Sequence, residues 1–325
     1  MKNGNLMLLF GVLVSLFSFE GQAKDLKIGV MPKLIGIEYF NACEKGAREA
    51  AKELGVEMIF DGPDTNDVSR QTAIVETWIA RKFDVIAIAP NDPDAIAPAL
   101  KKARQRGVKV ITWDSDSAEE TRDYFINQAD NSAIARTLMD VLVEGIGPEG
   151  KYLNLTGSLT AANQNRWMEE MEKYRQEKYP NLKNLSETPK ASGEDQALAT
   201  QVTIDSLKSY PDLQGIIAIT SVALPGAAEA LRKTQSADKI FLTGLSTPNS
   251  MRPYIKDGTV KKMVLWNPVD LGYLTVYTAK LLAEGKISGE TIEAGRLGNK
   301  KIRGSEILLG DPLIFDAGNI DQFNF

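Results

Sequence analysis

The sequence predicts an α/β protein made of two doubly wound, Rossmann-like lobes, and three observations carry that expectation. The hydrophobic period switches repeatedly between that of a strand and that of a helix. Several short strands are almost wholly apolar, as in Asp84-Val85-Ile86-Ala87-Ile88-Ala89, the mark of parallel strands covered on both faces. The same rhythm restarts at Lys151, in a chain whose 325 residues accommodate two domains.

Taken in order, residues 26–30 read as a strand. From Tyr39, residues Ala42, Gly46, Ala50 and Leu54 follow at helical spacing up to Gly55, a helix stop. Residues 56–60 form a second strand, Asp61-Gly62-Pro63 a turn, and Asn66 or Asp67 caps a helix running through Val68, Ile74, Val75 and Trp78 to Lys82. The apolar strand at 84–89 leads to a helix at 93–106, and 108–113 is the next strand. Strand alternating with helix at this spacing gives βαβ units and a parallel sheet with helices on both faces. In the second half, 151–156, 215–220, 239–244 and 260–266 read as strands, and 163–179, 194–210, 228–233 and 248–256 as helices. A helix over 271–284 is placed to return to the first lobe, and the Gly-rich tail from Gly285 reads as crossovers and edge strands.

Composition narrows the chemistry. With 43% hydrophobic and 25% charged residues the chain has a globular balance. It contains no histidine, which excludes Ser-His-Asp and Cys-His triads, His-ligated zinc and His general bases. The single cysteine, Cys43, rules out an intrachain disulfide and Cys-rich metal sites, and reads as a small buried helix residue. No cofactor and no metal is expected. A net charge of −5 without a basic block argues against nucleic acid as a partner. At the start, Lys2, an apolar stretch over 6–17 and Gly21-Gln22-Ala23 form a signal peptide over residues 1–23, with cleavage after Ala23. About 12 apolar residues fall short of the ~20 needed to span a bilayer. The expected location is therefore the periplasm.

Ligand sites in doubly wound sheets lie at the C-terminal strand ends. Those ends are polar here: Lys33, Asn91, Asp92, Asp114, Asp116, Asn127, Gln128, Asn163, Gln164, Ser221, Ser246, Thr247 and Asn267. The aromatic residues Phe40, Trp113, Trp167 and Trp266 are interleaved with them. Amides and carboxylates hydrogen-bond hydroxyl pairs while aromatic faces cover the C–H side of a sugar ring, so the inventory suits a small polyhydroxylated ligand. Asp, Asn and Ser at such turns are equally the usual helix N-caps. Lys33 in a cleft needs a charged partner, which Asp114 or Asp116 can supply.

Six stretches carry a family resemblance: Pro32-Lys33-Leu34-Ile35-Gly36, Ala89-Pro90-Asn91-Asp92-Pro93, Thr112-Trp113-Asp114-Ser115-Asp116, Asn163-Gln164-Asn165 before Trp167, Ala223-Leu224-Pro225, and the run from Ser246 to Tyr254. Together they resemble the periplasmic sugar-binding proteins of ABC importers, in the rhamnose-binding and autoinducer-2-binding branch. The resemblance implies a type I fold with a three-segment hinge and a ligand cleft between the lobes. It places lobe one at 24–128 plus 270–294 and lobe two at 129–269 plus 295–325. It implies a pocket using Lys33, an aspartate of the 113–116 run, Gln164, Pro225 and Ala227; with the strand-end reading, Phe40, Asn91, Asp114, Asp116, Asn163 and Trp266 complete the candidate set. It also implies a monomer that delivers its sugar to an inner-membrane ABC permease. One departure stands out: the autoinducer-2 receptor has an aspartate where this chain has Asn163, and the Asn-Gln pair is closer to the rhamnose branch.

Two other classes compete with a binding protein. An enzyme would use Asp114 and Asp116 as acid and base, since residues two apart on an extended strand point the same way, but no nucleophile, Walker A or G-x-G-x-x-G motif accompanies them. The effector domain of a sugar-responsive repressor needs a DNA-binding segment where the signal peptide stands. The expected function is capture of a rhamnose-like monosaccharide, with autoinducer-2 as the alternative and no catalysis.

Overall fold

The computed structural model describes residues 26–325; the signal-peptide expectation lies outside the described residues. The first half forms β1 (Lys27–Met31), α1 (Glu38–Leu54), β2 (Glu57–Phe60), α2 (Val68–Ala80), β3 (Val85–Ile88), α3 (Pro93–Gln105), β4 (Lys109–Trp113) and β5 (Tyr124–Ala129). Then follow α4 (Asn131–Ile146), β6 (Lys151–Thr156), α5 (Ala162–Lys178), β7 (Lys183–Asn184), β8 (Lys190–Ala191), α6 (Gln196–Ser209), β9 (Gly215–Ala218), α7 (Ala223–Thr234), β10 (Phe241–Gly244), α8 (Pro248–Lys256) and β11 (Lys262–Leu265). The chain ends with α9 (Pro268–Ala283), β12 (Thr291–Glu293), β13 (Asn299–Arg303), β14 (Glu306–Gly310) and β15 (Leu313–Asp316).

Local chemistry explains the boundaries. Helix α1 stops at Gly55, whose φ of 64° returns its N–H to the Ala51 carbonyl. Asp67 caps α2 by accepting from the Ser69 N–H at 2.8 Å, and Asp92 caps α3 through Asp94 and Ala95, with Pro93 opening the helix. Thr247 caps α8 and Asn267 caps α9. The plain capping role thus accounts for Asp92, Thr247 and Asn267.

Two sheets result. The first has the order β12-β13-β14-β5-β4-β3-β1-β2, and the second β10-β9-β6-β7, with β8 also on β6. Strand β3 shows why its sequence is apolar throughout: Val85 and Ala87 pack into one core while Ile86 and Ile88 pack into another with Trp78, Ile96 and Leu100. The pair β11–β15 is antiparallel and touches β10 through a Leu245–Val264 bridge. Helix α9 lies against α1 at very short range. A Cβ on Gly46 would come within 1.7 Å of the Val269 carbonyl oxygen, and one on Gly272 within 1.9 Å of that of Cys43, so both helices need glycine at the crossing. Cys43 itself is buried there.

The chain passes between the lobes after β5, after β11 and after β14. The last passage differs from expectation. The resemblance implies residues 295–325 in lobe two, whereas β14 pairs parallel with β5 and β13 pairs with β14, so 299–310 extend the first sheet. The cause is the open edge of β5, which Ile307 and Leu309 cover with buried side chains. Only from β15 onward does the tail join the second lobe, where Arg252 holds the carbonyls of Ile320 and Phe323.

Candidate functional site

Strand ends of both sheets converge on one cavity, lined by Lys33, Tyr39, Phe40, Asp114, Asn163, Gln164, Trp167, Glu194, Thr220 and Trp266, with Ile37, Ile219, Ser221, Leu245 and Leu265 between them. Lys33 stands just past β1, Asp114 just past β4, Thr220 past β9 and Trp266 past β11, while Asn163, Gln164 and Trp167 occupy the first turns of α5. The space between them is small, about 40 Å³, room for a few waters.

Hydrogen bonds run across this space. Lys33 Nζ donates to Asn163 Oδ1 at 2.8 Å and lies 3.8 Å from Asp114 Oδ2. Asn163 Nδ2 donates to the Asp114 carbonyl at 3.1 Å, with the Asp114 carboxylate at 3.4 Å. Tyr39 OH donates to Asp114 Oδ1 at 2.8 Å, and Trp266 Nε1 donates to Tyr39 OH at 2.8 Å. On the lobe-two side, Gln164 Oε1 accepts from Thr156 Oγ1 and the Gly157 N–H, and its Nε2 donates to Glu194 Oε1 at 2.7 Å. Thr220 Oγ1 donates to Glu194 Oε2 at 2.9 Å. Edge-to-face contacts of Tyr39 with Phe40 and Trp266, and the tilted Trp167–Trp266 pair, form the aromatic part of the wall.

The electrostatics follow from burial. Lys33 and Asp114 are each only 4% exposed. Burial pushes the Asp114 carboxyl up, Lys33 and the Tyr39 hydroxyl pull it back, and Glu194 raises it further; the net direction is upward. Burial and the neighbouring Asp114 push the Tyr39 hydroxyl well above its ordinary range. Burial does the same to the Cys43 thiol, which marks it as an inert packing residue. Asp114 has φ 62°, and Ser115 N–H bonds back to the Trp113 carbonyl at 2.6 Å, a γ-turn. A non-glycine residue held in the left-handed region at a strand end is strain kept at a site.

The sequence candidates divide accordingly. Lys33, Phe40, Asp114, Asn163, Gln164 and Trp266 line the cavity. Asn91 does not, but its Nδ2 holds the Lys33 carbonyl at 3.0 Å and its own carbonyl accepts from Thr160 Oγ1 across the cleft. Asp116 turns away: the γ-turn at Asp114 breaks the extended geometry that would align the two carboxylates. Asp116 instead grips Arg122 with both oxygens at 2.7 Å. Pro225 and Ala227 are buried in the first turns of α7 and do not reach the cavity. Sequence reasoning missed Tyr39 and Glu194 as site residues, reading both only as helix starts. Among the described residues, no group of His, Cys, Asp and Glu side chains is arranged to hold a metal ion, and no helix is long and apolar enough to cross a membrane.

Comparison with known proteins agrees with this architecture. An L-rhamnose-bound ABC transporter solute-binding protein from Clostridium phytofermentas is 30% identical, with a TM-score of 0.88 over 92% of this chain and 98% of that one. LsrB from Clostridium saccharobutylicum, solved in complex with AI-2, is 28% identical with a TM-score of 0.88, over 92% of this chain and all of that one (100%). The ribose import binding protein RbsB of Bacillus subtilis is 26% identical over 85% of this chain and 88% of its own length. Residues 28–287 match the family model described as a periplasmic binding protein domain. With that match spanning most of its length, the chain belongs to the periplasmic binding protein family.

Proposed function

We propose that this protein captures a small sugar in the interlobe cleft, a rhamnose-like monosaccharide, and delivers it to an ABC import permease. One observation carries the reading: a single cavity receives aromatic faces and hydroxyl-matching amides and carboxylates from both lobes. Six residues are assigned to the ligand: Lys33, Phe40, Asp114, Asn163, Gln164 and Trp266. The cavity is far smaller than the several hundred Å³ of a typical small-molecule pocket. Uptake therefore needs the lobes to part, breaking the Lys33–Asn163 and Asn163–Asp114 hydrogen bonds, with the three crossings as hinge. The same polar atoms then turn to the ligand. Similarity to the L-rhamnose-bound structure supports the choice of sugar.

The protein works in the periplasm after cleavage behind Ala23, acts as a monomer and catalyses nothing. Autoinducer-2 is the second reading, favoured by the fold similarity to LsrB and opposed by Asn163, which donates as well as accepts. Calorimetric titration with L-rhamnose, D-ribose, D-fucose, erythritol and autoinducer-2 decides between them. Rhamnose is expected to bind most tightly and to be recovered unchanged. Binding of autoinducer-2 alone selects the second reading, turnover sinks both, and failure of all five to bind or to raise the melting temperature refutes the sugar assignment.

A further inference from the structure

The cleft holds three charged side chains, and two of them neutralise each other. Lys33 and Asp114 stand 3.8 Å apart. Glu194 has no cation within ion-pair distance among the described residues; its carboxylate is held by two neutral donors, Gln164 Nε2 on Oε1 at 2.7 Å and Thr220 Oγ1 on Oε2 at 2.9 Å. A carboxylate offers about four lone-pair positions, so each oxygen keeps one unused, on a residue that lines the cavity.

Two further features surround this group. Glu194 lies in the left-handed region at φ 58°, where a side chain is disfavoured. Opposite it stands Gly157, where a Cβ would come 2.0 Å from Glu194 Oε1. A bare position across from it and an uncompensated charge converge on one carboxylate. The left-handed pair Gly193 and Glu194 closes a tight turn in which the Asp195 N–H donates to the Ser192 carbonyl at 3.1 Å, just ahead of the Asp195 cap of α6; that turn accounts for the backbone, but not for the bare position at Gly157 or the uncompensated charge.

We infer that Glu194 sets the ligand class: it accepts a hydroxyl hydrogen from the bound molecule, and as the unneutralised charge of the cleft it admits uncharged polyols and rejects sugar acids and sugar phosphates. Asp114 from lobe one and Glu194 from lobe two then clasp donor hydroxyls from opposite sides. This inference rests on the sugar-binding reading above.

Titration calorimetry of the wild type and of Glu194→Gln with L-rhamnose, D-ribose and D-arabinose, and with D-galacturonate as the anion, tests it. The wild type is expected to bind a neutral sugar and to ignore galacturonate. E194Q should bind that neutral sugar about tenfold more weakly or worse, as befits the loss of a charged acceptor, and discriminate less against galacturonate. Affinity for the neutral sugar within twofold of wild type in E194Q overturns the role of Glu194 and leaves sugar binding intact, as does wild-type binding of galacturonate at neutral-sugar affinity. If the wild type binds none of the four, the sugar reading fails and Glu194 falls with it. Should E194Q melt far below wild type, Gly157→Ala decides: its methyl displaces the carboxylate, so the same weakening is expected, and wild-type affinity refutes the inference.

Discussion

The two walls of the cleft are built by opposite means. On the lobe-one wall a buried ion pair, Lys33 and Asp114, is locked to Tyr39 and through it to Trp266, with a left-handed turn fixing the carboxylate. On the lobe-two wall the donors are all neutral and no ion pair forms: Gln164 accepts from Thr156 and Gly157 and donates to the Glu194 carboxylate, and Thr220 adds a second donor to it. A buried charge is tolerated only while its partner is present, whereas amide and hydroxyl groups lose one bond at a time. The lobe-one wall should therefore behave as a unit and the lobe-two wall as separable parts.

Lys33→Met is the strongest way to break that contrast. It leaves Asp114 buried without its cation, and a loss of about 3–5 kcal/mol of unfolding free energy is expected, together with loss of ligand binding. Urea denaturation of the ligand-free protein measures it. A loss below about 1 kcal/mol would show that the pair is hydrated as a surface ion pair is, and that lobe one is no more interlocked than lobe two.

Gln164→Ala probes the other wall. It removes the acceptor for Thr156 and Gly157 and one donor to Glu194, yet each abandoned group is neutral or partly open to solvent. The expected cost is about 1–2 kcal/mol of stability, with sugar affinity falling by about tenfold through the lost ligand contact. Denaturation and calorimetry on the same sample separate the two effects. A cost equal to that of Lys33→Met would erase the difference between the walls.

Both walls were legible in the sequence to different depths. Strand ends are easy to find because apolar runs stop there, so Lys33, Asp114, Asn163 and Gln164 stood out as polar residues at the right places. Caps such as Asp67 and stops such as Gly55 follow from local chemistry. What sequence period does not encode is backbone handedness. Asp116 was expected beside Asp114 because alternation assumes an extended chain, and the φ of 62° at Asp114 defeats that assumption. Glu194 escaped for a related reason: between the two-residue strands β7 and β8 and the cap of α6 no periodic signal exists to aim a side chain. Tyr39 was hidden by being a good helix-face residue. Strand β5 and helix α4 were passed over, since Asn127, Gln128 and the buried core of 134–142 were not joined into a unit. The tail misassignment has a topological cause, because pairing of β14 with β5 is a contact between residues nearly two hundred positions apart.

The smallest effect tests the electrostatic half of the contrast through pH. The Asp114 carboxyl is raised above its ordinary value, chiefly by burial, so the folded chain holds this proton more tightly than the unfolded chain does. Between the unfolded value of about 3.9 and the raised folded midpoint, the native state binds more protons. By linkage, the stability that Asp114 contributes then falls as pH rises through that window and recovers as pH is lowered. Carboxylates held low on the surface, such as Asp130 and Asp140, have the opposite sign and dominate the raw acid profile. Asp114→Asn removes only the inverted component. The difference in unfolding free energy, wild type minus Asp114→Asn, measured in urea without ligand between about pH 4 and 7, should shift toward the wild type as the solution is acidified. A difference that shrinks on acidification would mean that Lys33 and Tyr39 outweigh burial, and that the lobe-one wall keeps its carboxylate charged at less cost than its depth implies.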